Sequence, residues 1–518
     1  MPDAADSTDA RAAAARRWTL VSAVLGSSMA FMDGTVVNVA LPAIQRSLDA
    51  SGAGAQWIIE AYALFLAALL LVGGALGDRF GRKRVFLVGV AVFTATSASC
   101  AAAQDTNQLI AARALQGIGA ALLVPGSLAL LGANFPEAER GRAIGTWSAF
   151  SGITAAIGPV VGGFLVDHFS WRWAFLLNVP IGITLLLACV AKVPESRGDA
   201  IEGPIDVAGA TTATLGLAGV VFALIEAPTR GWMSAPVAVA GLQGVVGLAA
   251  FVACGSRLRH PMLPMSLFRN RDFAGANLLT LLLYAALGGG LYFVPLNLIQ
   301  VQGYAATQAG AALLPFVAIM FTLSRWAGSL VDVVGAKIPL VAGPAVAATG
   351  FLLFARTGIG GSYWTTFFPA VCVLGLGMTI TIAPLTTTVM NALGQALAGT
   401  ASGVNNAVSR AAGLLAIAAL GAVLAAVFDA RLHDALAHAN LPSGIADMVF
   451  AQRRKLAAIV PPADAASAVA TQVRGLVGSA FVAGFRAAML TSAGLALASA
   501  FSAWWLITGR QASSHSSR

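Results

Sequence analysis

The sequence predicts an all-α protein that crosses a membrane many times. Apolar residues make up 58% of the chain and charged residues only 10%, whereas soluble domains carry about 25% charged residues. The apolar residues form repeated runs of roughly 20 residues, the length that an α-helix needs to cross a bilayer. Because these runs fill the whole chain, they indicate a polytopic membrane protein rather than a soluble domain with one anchor.

About fourteen such runs follow one another along the chain. The polar segments 1–17 and 510–518 are predicted to be cytoplasmic tails, the first of them disordered. The predicted spans are residues 18–41, 56–76, 85–104, 108–132, 143–166, 173–192, 206–226, 236–254, 273–299, 307–331, 338–355, 363–390, 401–428 and 481–508.

Lysine and arginine residues predict the orientation of these spans. The N-terminal tail and the loops after spans two, four, six and eight each carry at least two of them, whereas the intervening short loops carry only Arg46, Arg172, Arg230 and Arg356. Cytoplasmic loops are enriched in these residues, so both termini are predicted to be cytoplasmic. The long segment 429–480 carries five basic residues on the outer side, which is acceptable because long loops are translocated largely regardless of charge. Residues 445–459 within it predict a short pair of surface helices.

The net charge is +9 and the chain contains four cysteines. The positions of these residues argue against a nucleic-acid-binding protein and against a metal site. The basic residues are scattered over short loops and form no basic face, which argues against nucleic-acid binding. The cysteines lie in or beside apolar runs without metal-ligand spacing, so they are predicted to be free and no metal site is expected.

An internal repeat divides the chain. The stretch Gly74–Lys83 returns in weaker form at residues 328–337, and Gly-x-Gly followed by proline occurs at 117–125 and again at 375–384. The similar offsets indicate that one six-helix unit occurs twice, as in many secondary transporters. We therefore predict a six-helix bundle at 18–192, two linker helices within 193–272, and a second bundle at 273–509 that contains the outer loop 429–480.

A dense polar loop, Gly73–Arg84, separates the second and third spans. Its glycines allow a sharp turn, and Asp78 can cap a helix or pair with Arg79 or Arg82. The pattern Gly-x-Leu-x-Asp-Arg-x-Gly-Arg-Lys resembles the loop signature of the major facilitator superfamily of secondary transporters. That resemblance implies a part in conformational switching for Gly74, Asp78, Arg79, Gly81 and Arg82.

With about fourteen spans, the chain resembles the fourteen-helix drug:proton antiporter branch of that superfamily. The resemblance implies alternating-access export of hydrophobic small molecules, cationic ones included, from a bacterial cytoplasm across the cytoplasmic membrane. It also implies a proton gradient instead of a cofactor, contact with membrane lipid, and function as a monomer. No Gly-x-x-x-x-Gly-Lys-Ser/Thr loop for ATP is present, and no constellation of acids, bases or metal ligands predicts an enzyme.

Asp33 lies inside the first span. A carboxylate at this depth costs about 2.5–3.5 kcal/mol on insertion scales, so it is predicted to face a cavity or a partner. A carboxyl group in such a low-dielectric site is able to exchange a proton. The segment Met32–Pro42 resembles the first-helix signature of the fourteen-helix exporters, whose aspartate is linked to proton or substrate binding. A structural packing contact is the alternative.

Arg113 lies in the fourth span, in the pattern Arg-x-x-Gln-Gly. Its guanidinium group cannot lose its proton, so it needs a partner or water, and Asp33 is the natural partner if spans one and four adjoin. The pattern resembles the fourth-helix motif whose arginine is implicated in proton transfer. We predict that protonation of Asp33 weakens an Asp33–Arg113 pair and helps the two halves to switch. A fixed salt bridge is the alternative.

Gly158-Pro159-Val160-Val161-Gly162-Gly163 lies in the fifth span. The proline interrupts the helix ladder, and the small residues allow another helix to approach closely. The motif resembles the antiporter signature, which is found in exporters and is largely missing from uptake symporters. It therefore favours export, with a simple packing motif as the alternative.

Glu60, between Trp57 and Tyr62 in the outer part of span two, is a second candidate for proton coupling or substrate binding. An acid beside aromatic rings can attract a cation; a carboxylate that extends to the outer surface is the alternative. Other polar residues inside spans are candidates for the substrate pocket, because such groups face a bundle interior or cavity. They are Asn38, Gln116, Tyr292, Asn297, Asn405 and Asn406, and Arg410 lies in the same span as the last two.

Two further functions stay open at this point. One is a dedicated exporter of a single endogenous metabolite or antibiotic, and the other, less favoured, is a proton-coupled uptake symporter.

Overall fold

The computed structural model describes residues 3–197, 206–393, 398–442, 444–462 and 465–508. Within this part of the chain, fourteen helices are long and apolar enough to cross a membrane, which confirms the predicted all-α architecture. They are α1 (Asp3–Ser47), α2 (Gly52–Phe80), α3 (Arg82–Ala102), α4 (Thr106–Asn134), α5 (Glu137–His168), α6 (Trp173–Lys192), α7 (Val207–Arg230), α8 (Ala235–Arg257), α9 (Arg271–Leu296), α10 (Ala306–Ala311 and Leu314–Val334), α11 (Lys337–Ala355), α12 (Phe368–Ala392), α13 (Ala398–Ala437) and α14 (Ser467–Leu506).

The segment predicted as the loop 429–480 is shorter in the structure. Helix α13 continues to Ala437 and α14 already begins at Ser467, because both flanks are rich in alanine, the strongest helix former. The predicted pair of surface helices is an α-helix, Ile445–Ala451, followed by a 3₁₀ turn, Arg453–Ala458.

Each six-helix half is packed in the same way. In the N-terminal half (α1–α6), Gly117 and Gly119 of α4 lie against the backbones of α2 and α3. In the C-terminal half (α9–α14), Gly375 and Gly377 of α12 lie against the backbones of α10 and α11. A Cβ atom at any of these positions would meet a neighbouring helix, so the repeated glycines set the same close approach twice.

The linker helices α7 and α8 pack against each other, and α7 also contacts α2 and α13. Trp57 of α2 donates from its indole nitrogen to Glu226 of α7 at 3.3 Å, and its ring lies 6.2 Å from that of Phe222. The linker therefore covers one of the two lateral seams between the halves, the seam formed by α2 and α13.

Contacts between the halves gather at the end of the molecule opposite both termini. Gln300 at the end of α9 donates to Gln45 of α1 at 3.0 Å, and Lys455 pairs with Asp49 at 2.6 Å. Helix α5 packs against the first turn of α10 at the same end. The structure is therefore closed at this end.

Candidate functional site

A charge pair is buried inside the N-terminal half. The Asp33 Oδ2 atom lies 2.5 Å from Nη1 of Arg113, so α1 and α4 adjoin as the sequence predicts. Asp33 is 1% exposed and Arg113 is 0% exposed. The guanidinium group also donates from Nε to the Ile58 carbonyl at 3.1 Å and stacks 4.2 Å from the centre of the Tyr62 ring. Both charges are thus out of water and matched to each other.

Two side-chain amides complete the hydrogen bonding of the Asp33 carboxylate, and a hydroxyl group in turn binds these amides. Its Oδ1 atom accepts from Nε2 of Gln116 at 3.0 Å and from Nδ2 of Asn178 at 3.1 Å. The same two amides donate to the Ser97 hydroxyl at 3.0 Å. A carboxylate that accepts several hydrogen bonds from fixed donors is held in one geometry, and α1, α3, α4 and α6 all contribute to it.

Gln116 therefore belongs to this network, because Arg113 also donates to its side-chain oxygen at 2.7 Å. Asn178, which the sequence does not single out as a site residue, also belongs to it. Ser97 carried no motif at all. A serine in an apolar run has no distinguishing spacing, so only the packing of α3 against α4 reveals it.

Glu60 is fully buried, so the alternative of a carboxylate that extends to the surface is wrong. Among the described residues, neither of its carboxylate oxygens has a hydrogen-bond partner, and the Nδ2 atom of Asn297 also lacks one. Tyr292 of α9 lies within electrostatic range of Glu60 and is 2% exposed. An acid of the N-terminal half and a phenol of the C-terminal half thus lie buried near each other.

A cavity of about 800 Å³ lies between the halves at the seam formed by α5 and α10. Its walls are mostly apolar, and Thr35 and Asn38 of α1 line it. Within the part of the chain that the structure describes, the Asn38 amide nitrogen donates to Gly34 of its own helix, and its buried Oδ1 atom has no partner. Of the predicted pocket residues, Asn38 is thus among the lining of this cavity. Side chains from α5, α9 and α10 that also line it include Ile153, Ile157, Leu291, Phe316 and Phe321.

The other two pocket candidates lie on α13. Asn405 donates to the Thr280 hydroxyl at 2.7 Å and to Asn277 at 3.3 Å, and so ties α13 to α9 within the C-terminal half. Asn406 is exposed and donates to the Ser402 carbonyl of its own helix.

The polar segment between the second and third spans is shorter as a loop than predicted: residues 73–80 belong to α2, residues 82–84 belong to α3, and the turn between them is made at Gly81. Arg82 pairs with Asp78 at 2.7 Å, one of the two predicted partners, and Arg79 is exposed. Gly81 has φ +112°, a conformation that favours glycine. Gly74 packs at 3.8 Å from Pro125 of α4. Lys83 also joins this segment to the end of α6.

Lys83 donates to the Val193 carbonyl at 2.6 Å, and its backbone N–H donates to the Glu195 carboxylate at 2.9 Å. Sequence analysis does not predict the role of Glu195, because the contact joins residues more than a hundred positions apart.

The glycine motif of α5 contacts both halves. Gly158 and Gly162 lie against Thr35 and Val36 of α1, whereas Gly163 lies against the Ala306 carbonyl of α10. Added Cβ atoms at these positions would collide with α1 or α10, so the motif sets the distance between these helices.

Asp167, at the end of α5, caps the first turn of α10 across the boundary between the halves. Its carboxylate accepts from the backbone N–H groups of Ala306 at 3.1 Å and Thr307 at 2.8 Å, and from the Thr307 hydroxyl at 2.6 Å. The sequence does not predict this role, because an aspartate at the end of one helix carries no signal that it caps another helix.

The comparison with known families agrees with this architecture. The family model described as Major Facilitator Superfamily matches residues 23–417. The chain belongs to the major facilitator superfamily. It is therefore a multi-pass membrane transporter of small molecules and not an enzyme, as the sequence predicts.

Characterised relatives cover most of the chain. Multidrug resistance protein Stp of Mycobacterium tuberculosis is 35% identical over 443 residues, which cover 85% of this chain and 81% of that protein. The tetracenomycin C resistance and export protein of Streptomyces glaucescens is 32% identical over 507 residues, or 96% of this chain and 93% of that one. The methylenomycin A resistance protein of Streptomyces coelicolor is 37% identical and covers 78% of this chain and 85% of its own length.

Solved structures share the fold at low sequence identity. A bacterial homolog of the human lysosomal transporter Spinster, in an inward-facing and unoccupied conformation, has a TM-score of 0.63 at 16% identity and covers 96% of this chain and 99% of that one. The peptide transporter POT in complex with sulfate has a TM-score of 0.60 at 16% identity, with 78% and 88% covered.

Proposed function

We propose that this protein exports lipophilic small molecules from the bacterial cytoplasm in exchange for protons. The buried Asp33–Arg113 pair carries this proposal. Asp33 is a titratable group inside a transporter, and among the residues that the structure describes Arg113 is its one ion-pair partner. Removal of one partner of a buried pair leaves the other uncompensated and costs about 3–5 kcal/mol.

Protonation of Asp33 removes the negative charge of this pair while Arg113 keeps its own. About 5.5 kcal/mol takes a two-state equilibrium from 1:99 to 99:1. The free energy at stake in the pair is therefore of the size needed to switch the carrier between its two states. Because the pair lies inside the N-terminal half, we infer that proton and substrate are coupled through the relative position of the halves. The Gly74–Arg82 loop and the Gly158–Gly163 motif are the proposed switch elements.

The apolar cavity supports a lipophilic substrate. Its volume of about 800 Å³ lies within the usual range of small-molecule sites, about 300–1,000 Å³. Relatives named for multidrug resistance and for antibiotic resistance and export support export over uptake. The glycine motif of α5, which resembles the antiporter signature, points the same way.

The distribution of basic residues supports a cytoplasmic location for both termini. With that orientation the closed end of the molecule is the outer one, and the structure is an inward-facing state whose cavity receives substrate from the cytoplasm or the inner leaflet. We propose that a single chain in the bacterial cytoplasmic membrane is the functional unit.

Everted membrane vesicles test the exchange directly. An inside-acid gradient is imposed, lipophilic drugs of different charge are added outside, and the pH gradient is followed with a fluorescent amine. Wild-type vesicles should lose the gradient when a substrate is added, and vesicles with Asp33→Asn should not.

Asp105→Asn serves as the matched control. Asp105 is exposed and caps α4, and asparagine is an equally good cap, so this variant should behave as the wild type. Normal exchange by Asp33→Asn would contradict the assignment of Asp33. A response to one compound alone would favour a dedicated exporter. Acidification of the vesicle interior on addition of substrate would mean that proton and substrate move in the same direction, and would indicate an uptake symporter.

A further inference from the structure

Arg410 of α13 lies where four helices from both halves meet. Its guanidinium carbon is 5.3 Å from the centre of the Phe31 ring of α1. Tyr62 of α2 and Tyr284 of α9 lie within electrostatic range of it. The residue is therefore deep in the membrane-spanning region and between the halves, where a charged side chain is expensive and marks a functional position.

Arg410 has no counter-ion among the described residues. No carboxylate lies within 4.0 Å of its guanidinium group, and it makes no hydrogen bond to the described part of the chain. Other arginines of the C-terminal half donate to carbonyl oxygens; Arg486, for example, donates to Thr357 at 3.0 Å. An arginine that served only to join helices would make such bonds, because it carries five donors and no acceptor.

The guanidinium group also remains open to its surroundings. Arg410 is half-buried, and none of its nitrogen atoms is among the sealed polar atoms that lack a partner. Arginine cannot escape the cost of its position by losing the proton. A ring face such as that of Phe31 compensates only part of a full charge. The side chain is thus ready for an anionic group that the protein itself does not supply.

The apolar cavity and Arg410 both contact helix α1. Phe31, Thr35 and Asn38 are spaced at i, i+4 and i+7, so they follow one face of α1. Thr35 and Asn38 line the cavity, and Phe31 carries the guanidinium group one turn away. A molecule with an apolar body in the cavity is therefore able to place a charged end against Arg410.

We propose that Arg410 binds an anionic group, a carboxylate or an acidic phenolate, on an otherwise lipophilic aromatic substrate. Guanidinium groups bind carboxylates through two parallel hydrogen bonds, and the rings of Phe31, Tyr62 and Tyr284 provide surfaces for aromatic groups. This inference rests on the proposed function, because it names the substrate class of the exporter. It favours anions over the cations that Glu60 alone would attract.

Equilibrium binding of three matched probes tests the site. The probes are 9-anthracenecarboxylate, its neutral amide and the cationic 9-(aminomethyl)anthracene, titrated onto the full chain in lipid nanodiscs and followed by fluorescence, with empty nanodiscs as the baseline. Wild type should bind the carboxylate about ten-fold more tightly than the amide, the size of one charge-assisted interaction. Arg410→Gln should abolish that difference.

Two further variants separate recognition of the anion from damage to the fold. Arg410→Lys keeps the charge but loses the two-pronged geometry, so its preference should be intermediate. Arg431→Gln removes an exposed arginine from the same helix and should match the wild type.

Equal affinity of the wild type for carboxylate and amide, no measurable carboxylate binding, or a carboxylate preference that survives in Arg410→Gln would each overturn the proposal. Tighter binding of the cation would overturn it too and would make Glu60 the charged anchor. The measurement uses no gradient. Failure of the vesicle exchange with the anion preference intact would therefore refute proton coupling alone, and the reverse result would refute this site alone.

Discussion

Arg113 and Arg410, both inside membrane-spanning helices, lie in opposite environments. Arg113 is sealed inside the N-terminal half, stacked on Tyr62 and paired with Asp33 at 2.5 Å. Arg410 lies between the halves, beside Phe31, without a carboxylate among the described residues. The protein itself therefore balances the charge of Arg113, whereas the charge of Arg410 is available to a substrate that binds and leaves.

This difference separates the two tasks of a coupled carrier. A charge balanced by a titratable partner responds to protons, because protonation of the partner unbalances it. A charge that is half-buried and unbalanced responds to an ion that enters the cavity. Tyr62 lies within electrostatic range of both arginines, so the two positions are neighbours but are not equivalent.

The largest expected effect is on stability. Arg113→Leu should lower the free energy of unfolding by about 3–5 kcal/mol, because it leaves the Asp33 carboxylate buried without a partner. Arg410→Leu should leave the stability unchanged or raise it, because it removes an unpaired charge. Unfolding of the purified protein by sodium dodecyl sulfate in mixed micelles measures both.

Arg431→Leu, on an exposed part of α13, is the control for the loss of an arginine. Equal destabilisation by Arg113→Leu and Arg410→Leu would show that Arg410 has a structural partner, and would remove the basis of the comparison.

A double-mutant cycle sharpens the same contrast. The combination of Asp33→Asn with Arg113→Gln should be less destabilising than the sum of the single changes, by about 1–3 kcal/mol, as expected for residues in one network. The combination of Asp33→Asn with Arg410→Gln should be additive within about 0.5 kcal/mol. Strong coupling in the second cycle would place Arg410 in the proton network.

Sequence reasoning predicted the fold well because its signals are local. Fourteen apolar runs, their basic loops and the glycine repeats each lie within some twenty residues, and lipid allows only helices to use such runs. The ends of α13 and α14 were less predictable. Helices continue beyond the apolar core wherever propensity allows, and the alanine-rich flanks of the segment 429–480 allow it.

The site was predicted only where one residue is costly by itself. Asp33 and Arg113 stand out because a charge inside a span demands a partner, and each is the natural partner of the other. Asn178, Ser97 and Asp167 did not stand out, because neutral or helix-end polar residues cost little alone. Their roles depend on which helices pack together. The sequence also does not show whether a charged side chain has a partner, so it does not distinguish a paired arginine from an unpaired one.

A smaller effect is expected from Asp167, whose hydrogen bonds cross between the halves. Asp167→Ala should weaken closure of the outer end by about 1–2 kcal/mol, the size of a lost helix cap. Spin labels at Asp105 and Ser362, which are exposed loop residues of the two halves, measure this opening. Double electron–electron resonance should then show a larger population of long distances between the two labels.

Asp272→Ala is the matched control. Asp272 also accepts from a threonine N–H and hydroxyl, those of Thr508, but both residues belong to the C-terminal half. It should leave the distance distribution unchanged, and an equal shift in both variants would mean that general destabilisation, not closure, is being measured.

The smallest expected effect concerns the link between proton and anion. Asp33→Asn should change the affinity for 9-anthracenecarboxylate by no more than about five-fold, about 1 kcal/mol, and any change should be toward tighter binding. The reason is that loss of a negative charge makes the surroundings of Arg410 more positive. A cation that competed with the proton for Asp33 would show the opposite sign. Nanodisc titration of this variant beside the wild type measures the shift. More than ten-fold weaker binding would mean that the Asp33 network shapes the anion site directly, and that coupling does not run through the position of the halves alone.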